Sequence, residues 1–126
     1  MKEYEKWFKK AESDLLTIKL IITAKDAPFE ICCFHAQQAA EKYLKAFLTA
    51  HNIQFLKTHQ LFLLVKICAS KNSVFLEILP NAKKIEIYGV SSSYSDDIDD
   101  LTFEDAKEAY ANAIAIKDFV ITHFFD

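Results

Sequence analysis

Phe34-His35-Ala36-Gln37-Gln38-Ala39-Ala40-Glu41-Lys42-Tyr43-Leu44-Lys45-Ala46-Phe47-Leu48 is the stretch that decides the fold. Stepped at about 100° per residue, it carries two stripes. Phe29, Cys32, Ala36, Ala40, Tyr43 and Phe47 make an unbroken apolar face. His35, Gln38, Lys42, Lys45 and Thr49 make a second stripe, and Ile31, Ala39 and Ala46 share its sector. A helix that is apolar or small nearly all round is buried on more than one side. Its polar groups are then expected to line a groove between helices.

Working outward, Tyr4, Trp7, Phe8, Ala11, Leu15, Ile18 and Ile22 keep helical spacing, so residues 3–24 read as a first helix. Asp26-Ala27-Pro28 breaks it and opens a second helix over about 28–51. Thr58 is the expected N-cap of a third, with Leu61, Leu64, Val65 and Cys68 as its buried face. Ser70 to Ser73 reads as a loop. Residues 74–90 read as a fourth helical stretch that Pro80 kinks or restarts. Gly89 is expected to permit a left-handed turn at its end. After a Ser- and Asp-rich loop, Thr102-Phe103-Glu104-Asp105 opens a fifth helix as a capping box, with Ala106, Ala109, Ala113, Ile116 and Val120 facing inward. Short connections imply antiparallel neighbours. The expected fold is all-α, an antiparallel up-and-down bundle of four to five helices forming one domain over residues 1–126.

Composition agrees. One Gly and two Pro in 126 residues is far too little turn chemistry for an all-β fold. A hydrophobic content of 52% with 11 Phe favours an oligomer that covers part of this surface. A net charge of −3 excludes the overall basic field of a non-specific nucleic-acid binder. The basic residues are all Lys, with no Arg anywhere. Cys32, Cys33 and Cys68 fall inside helical patterns and read as reduced core thiols, which points to a cytoplasmic protein. No secretory signal and no membrane span of about 18 apolar residues is evident.

Several groups of residues carry chemistry. His35, Gln38, Lys42 and Lys45 lie along one groove wall, where cations would hold a phosphate and an amide would read a base or sugar edge. The blander account pairs Lys42 and Lys45 with Glu41 and solvent, and gives His35 one hydrogen bond. Lys57-Thr58-His59 sits at a helix start, where free amides favour anions and His59 could act as acid or base. Its blander account is a cap beside a solvent-facing ring. Asp96, Asp97, Asp99 and Asp100 lack the spacing of a calcium loop and read as a solvated acidic segment. A Cys32–His35 nucleophilic pair has no third member to support it. No metal site and no cofactor is expected.

These segments together resemble the HEPN family of small helical domains. The resemblance runs through Ala11-Glu12-Ser13-Asp14-Leu15, the quoted stretch, Lys57-Thr58-His59-Gln60-Leu61, Ala82-Lys83-Lys84, Tyr88-Gly89-Val90 and Tyr94. It implies a four- to five-helix bundle, commonly a homodimer, often encoded beside a minimal nucleotidyltransferase in a toxin–antitoxin-like setting. It implies either nucleotide binding or metal-independent ribonuclease activity, the latter through an Arg and a His four to six residues apart. Without Arg that motif is absent. Lys45/His51 and Lys117/His123 have the spacing, but among 15 Lys and four His about one such pairing arises by chance. Lys also lacks the planar fork that grips a phosphate.

The expected function is therefore a nucleotide- or RNA-binding module with a nucleotidyltransferase partner. Its ligand-binding residues would be His35, Gln38, Lys42, Lys45, Lys57, His59 and Tyr94. Tyr94 would stack on a base. The alternative is a metal-independent endoribonuclease toxin using His as base and Lys to stabilise the phosphorane. On the binding reading, Lys42→Ala or Lys45→Ala should weaken binding without unfolding the chain.

Overall fold

The computed structural model describes residues 1–55, 57–89 and 100–126. Its helices are α1 (Glu3–Ile21), α2 (Phe29–Ala50), α3 (Leu61–Lys71), α4 (Leu79–Ile85) and α5 (Phe103–Thr122). Among the described residues there is no strand, so the chain is an all-α bundle. Two 3₁₀ segments flank α4, Ser73–Ile78 before it and Glu86–Tyr88 after it.

Helix α2 sits at the centre, packing on α1, α3, α4 and α5. The apolar stripe explains why. Cys32, Ala36, Ala40, Tyr43 and Phe47 are all buried, and so are Ala39 and Ala46 from the opposite sector. The small side chains let neighbouring helices approach, and Phe47 fills the space they leave. Its ring stands 4.3 Å from Phe75 and 6.1 Å from Phe124. Helix α5 seats Ala106, Ala109, Ala113, Ile116 and Val120 inward, and α3 seats Leu61, Leu64, Val65 and Cys68.

Element ends follow local chemistry. Thr102 caps α5 by accepting from the Asp105 amide, while Asp105 accepts from the Thr102 amide, a reciprocal capping box. Pro80 lies in the first turn of α4 and restarts the helix after the 3₁₀ segment, where its missing N–H costs nothing.

Two local expectations are corrected. Thr58 does not cap α3, which begins at Leu61; its hydroxyl instead accepts from the Gln60 amide in a local turn. The free amide of Phe62 is taken by the Glu86 carboxylate at 3.0 Å, a partner 24 residues away. Gly89 is not left-handed either: its φ is −81°. A Cβ there would stand 2.5 Å from the Gln37 carboxamide, so the glycine serves to leave room for that side chain rather than for dihedral freedom. Helix ends also differ slightly from the sequence reading. Helix α1 stops at Ile21, where turns around Asp26 (φ 55°) redirect the chain. Helix α3 runs on to Lys71, leaving Asn72 to cap the 3₁₀ segment by accepting from the Val74 amide.

Candidate site on the polar arc of helix α2

Gln37, Glu41, Lys45, Gln38, Lys42 and His35 follow one another around α2, covering roughly 160° of the helix at 3.6 residues per turn. Two carboxylates organise this arc. Asp14, buried on α1, accepts from His35 Nδ1 at 2.8 Å through one oxygen and from Lys42 Nζ at 2.6 Å through the other. Glu41, whose side chain is only 5% exposed, accepts from Lys45 Nζ at 2.9 Å through Oε2 and from His59 Nδ1 at 2.9 Å through Oε1. Each acid thus holds one ammonium and one imidazole.

Gln37 joins the second cluster to the chain before α3. Its fully buried amide donates to Glu41 at 3.3 Å and to the His59 carbonyl at 3.0 Å, and its oxygen accepts from Gln38 at 2.7 Å. Gly89 leaves the space in which that amide sits. Lys45 is enclosed further by rings, with its ammonium 5.5 Å from the Trp7 centroid and 5.8 Å from that of Phe55. Such contacts favour the cation in a partly dry site. Trp7 is itself fixed by donating to Thr49 at 3.1 Å, which ties α1 to the end of α2.

The structure brings His35, Gln38, Lys42 and Lys45 onto this one arc, and the Glu41 and Gln37 bonds tether His59 to it. Lys57 is exposed in the preceding connection and makes no ion pair among the described residues. Tyr94 lies outside the described residues, as do Asp96, Asp97 and Asp99. The lysines are held differently from the simple solvated pairing. Lys45 does pair with Glu41, but Lys42 reaches across to Asp14 on another helix. His59 keeps a half-exposed ring at 53%, so its outer edge meets solvent while its inner nitrogen is bonded.

Asp14 and Glu41 were missed as site residues, and both carried a signal. Asp14 shares the phase of Ala11, Leu15 and Ile18, so a carboxylate stands on a core-facing stripe. Glu41 shares the phase of Gln37, Leu44 and Leu48 on α2. An acid on an apolar stripe needs paired cations.

The remaining candidates are engaged elsewhere. Burial raises the Cys32 thiol and pushes Cys33 up to about 12, so neither is a ready nucleophile. His51 contacts the Phe124 carbonyl through Nε2 and lies 4.4 Å from the Phe47 ring, far from acting with Lys45, which faces Glu41. His123 pairs with Asp126. Among the described residues no group of His, Cys, Asp or Glu is arranged to hold a metal ion. None of their helices is long and apolar enough to cross a membrane.

Comparison with known proteins gives one consistent result. A model of the HEPN domain matches residues 4–123. The crystal structure of an archaeal HEPN homologue superposes with a TM-score of 0.74 at 25% identity, covering 98% of this chain and 99% of that one. A crystal structure from Thermus thermophilus gives 0.85 at 24% identity, covering 97% and 98%. No curated protein matches the sequence.

Proposed function

The chain belongs to the HEPN domain family, and on that premise we propose that it is a nucleotide- or RNA-binding module serving a minimal nucleotidyltransferase partner in a toxin–antitoxin-like setting. The polar arc of α2 carries this reading. His35, Gln38, Lys42 and Lys45 share one wall, His59 is bonded into it, and Lys57 stands exposed next to the same segment. Their order along one element suits a ligand with repeated phosphates and base edges. Tyr94 is retained in the proposal as the stacking residue.

Geometry refines the roles. Lys45 is enclosed between Glu41, Trp7 and Phe55, so it supports the wall and does not itself reach the ligand. Lys42, with a fifth of its side chain exposed, together with Gln38, His35, His59 and Lys57, is left to make contact. A thermal-shift screen against nucleotides and short RNAs tests the proposal, because a ligand that binds only the native state raises its melting temperature. The rise should shrink with salt, as counterions compete for the same charges. No shift with any of them would sink the reading.

A second reading, a metal-independent endoribonuclease, rests on the Glu41–His59 pair. A buried carboxylate that fixes one ring nitrogen leaves the other turned outward as a base. Against it stand the lack of Arg and the use of Lys42 and Lys45 as partners of acids. RNA cleavage and growth arrest, both abolished by His59→Ala, would establish it over simple binding.

A further inference from the structure

Resting on the reading of the α2 arc as a phosphate site, we infer that a phosphodiester binds there only together with protons, which His35 and His59 take up. Hydrogen-bond chemistry fixes where each ring carries its hydrogen. An ionised carboxylate only accepts. His59 Nδ1 lies 2.9 Å from Glu41 Oε1, and His35 Nδ1 lies 2.8 Å from Asp14 Oδ1. Both Nδ1 atoms therefore carry hydrogen, and in the neutral ring Nε2 is a bare acceptor. Phosphodiester oxygens are acceptors too, so the two repel. Each Nε2 becomes a donor only when a proton is added, and it then forms the stronger, charge-assisted bond.

The charge count leads the same way. The charged groups joined to these rings through ion pairs are Asp14 from α1 and Lys42, Glu41 and Lys45 from α2, and Lys10 of α1 shares the Trp7 ring with Lys45. Lys57 lies two residues before His59 in the chain, and the Glu86 carboxylate is occupied by the amide of Phe62, three residues after His59. Asp14 offsets Lys42, and Glu41 offsets Lys45, so the two clusters sum to zero while the imidazoles are neutral. Protonating both rings gives the arc two positive charges without moving a residue. Since the free energies are linked, an anion that prefers the charged arc draws protons from solution.

Calorimetric titration of hexauridylate lacking terminal phosphates tests this, because its phosphodiesters carry no titrating proton. Runs in buffers of different ionisation enthalpy, from about pH 6 to about pH 8, count the protons exchanged across the histidine range. The parent protein should show net uptake that shrinks toward low pH. His35→Gln with His59→Gln supplies an uncharged N–H in place of each Nε2. That variant should bind roughly tenfold more weakly at the acid end, the worth of about 1.4 kcal/mol, with no uptake at any pH. His59→Gln alone, at a half-exposed site, should halve the uptake and provides the test if the double variant melts early. Binding by the parent without uptake overturns this inference and leaves the site reading intact. Uptake unchanged in the Gln variants overturns its assignment to these rings. Failure of the parent to bind hexauridylate overturns both the inference and the site reading for RNA.

Discussion

A methyl group on Gly89 would meet the Gln37 carboxamide at 2.5 Å, and that amide is held by three hydrogen bonds. Relief requires breaking part of the network. Gly89→Ala should therefore destabilise by roughly 1–3 kcal/mol, the range for overpacking. Truncating Gln37 to Ala in the same chain should recover part of the loss, a coupling measurable by denaturant unfolding of the double-mutant cycle. Equal costs with and without the Gln37 change would refute the contact. Lys45 makes a second residue-scale case. Lys45→Ala leaves the Glu41 carboxylate buried with one charged partner fewer, so a loss on the order of 3 kcal/mol is expected in urea unfolding. That differs from the sequence expectation of a variant weakened only in binding. Lys42→Ala, nearer solvent, should cost less than half as much.

At the scale of an element, α3 depends on a distant residue. The amide of Phe62 in its first turn is satisfied by Glu86, not by a side chain at its own N-cap. Glu86→Ala should destabilise by about 1 kcal/mol, the worth of a lost cap. It should also speed hydrogen exchange in the first turn of α3 and leave α5 unchanged, since α5 carries its own Thr102–Asp105 box. Uniform loss of protection across both helices would contradict this local role.

Across the whole molecule, burial of ionisable side chains sets an alkaline limit. Burial pushes Cys33 and Tyr88 up to about 12, and it also raises Cys32, Cys68 and Tyr43. In the unfolded chain thiols ionise near about 8.5 and phenols near about 10, so the unfolded state sheds protons that the native state keeps. Stability is then full below about pH 8.5 and falls as pH rises, by at most about 1.4 kcal/mol per unit for each such group. Urea midpoints should drop between about pH 8 and about pH 10; a flat profile would refute it. Leu16 and Leu20 on α1 are large apolar side chains left exposed, the kind of surface that the homodimer implied by the family resemblance would cover. Light scattering should give twice the 14.5 kDa chain mass, and a monomer mass at micromolar concentration would exclude it.

Periodicity determined the number of helical stretches, the buried faces of α1, α2, α3 and α5 and the central place of α2, because apolar spacing is a local property of the chain. It did not give the ends of α1 and α3 or the 3₁₀ segments that leave α4 only Leu79–Ile85. Ala106, Ala109, Ala113, Ile116 and Val120 face inward as their spacing requires, and the Thr102–Asp105 cap is complete within four residues. The stripe of His35, Gln38, Lys42 and Lys45 was legible for the same reason. What each member holds was not. Asp14 meets His35 across 21 residues and Lys42 across 28, and Glu41 meets His59 across 18. Gly89 was legible as a glycine but not as the space for Gln37. Such partners are chosen by how helices pack, so the tertiary structure alone decided which lysine is enclosed and which ring nitrogen faces solvent.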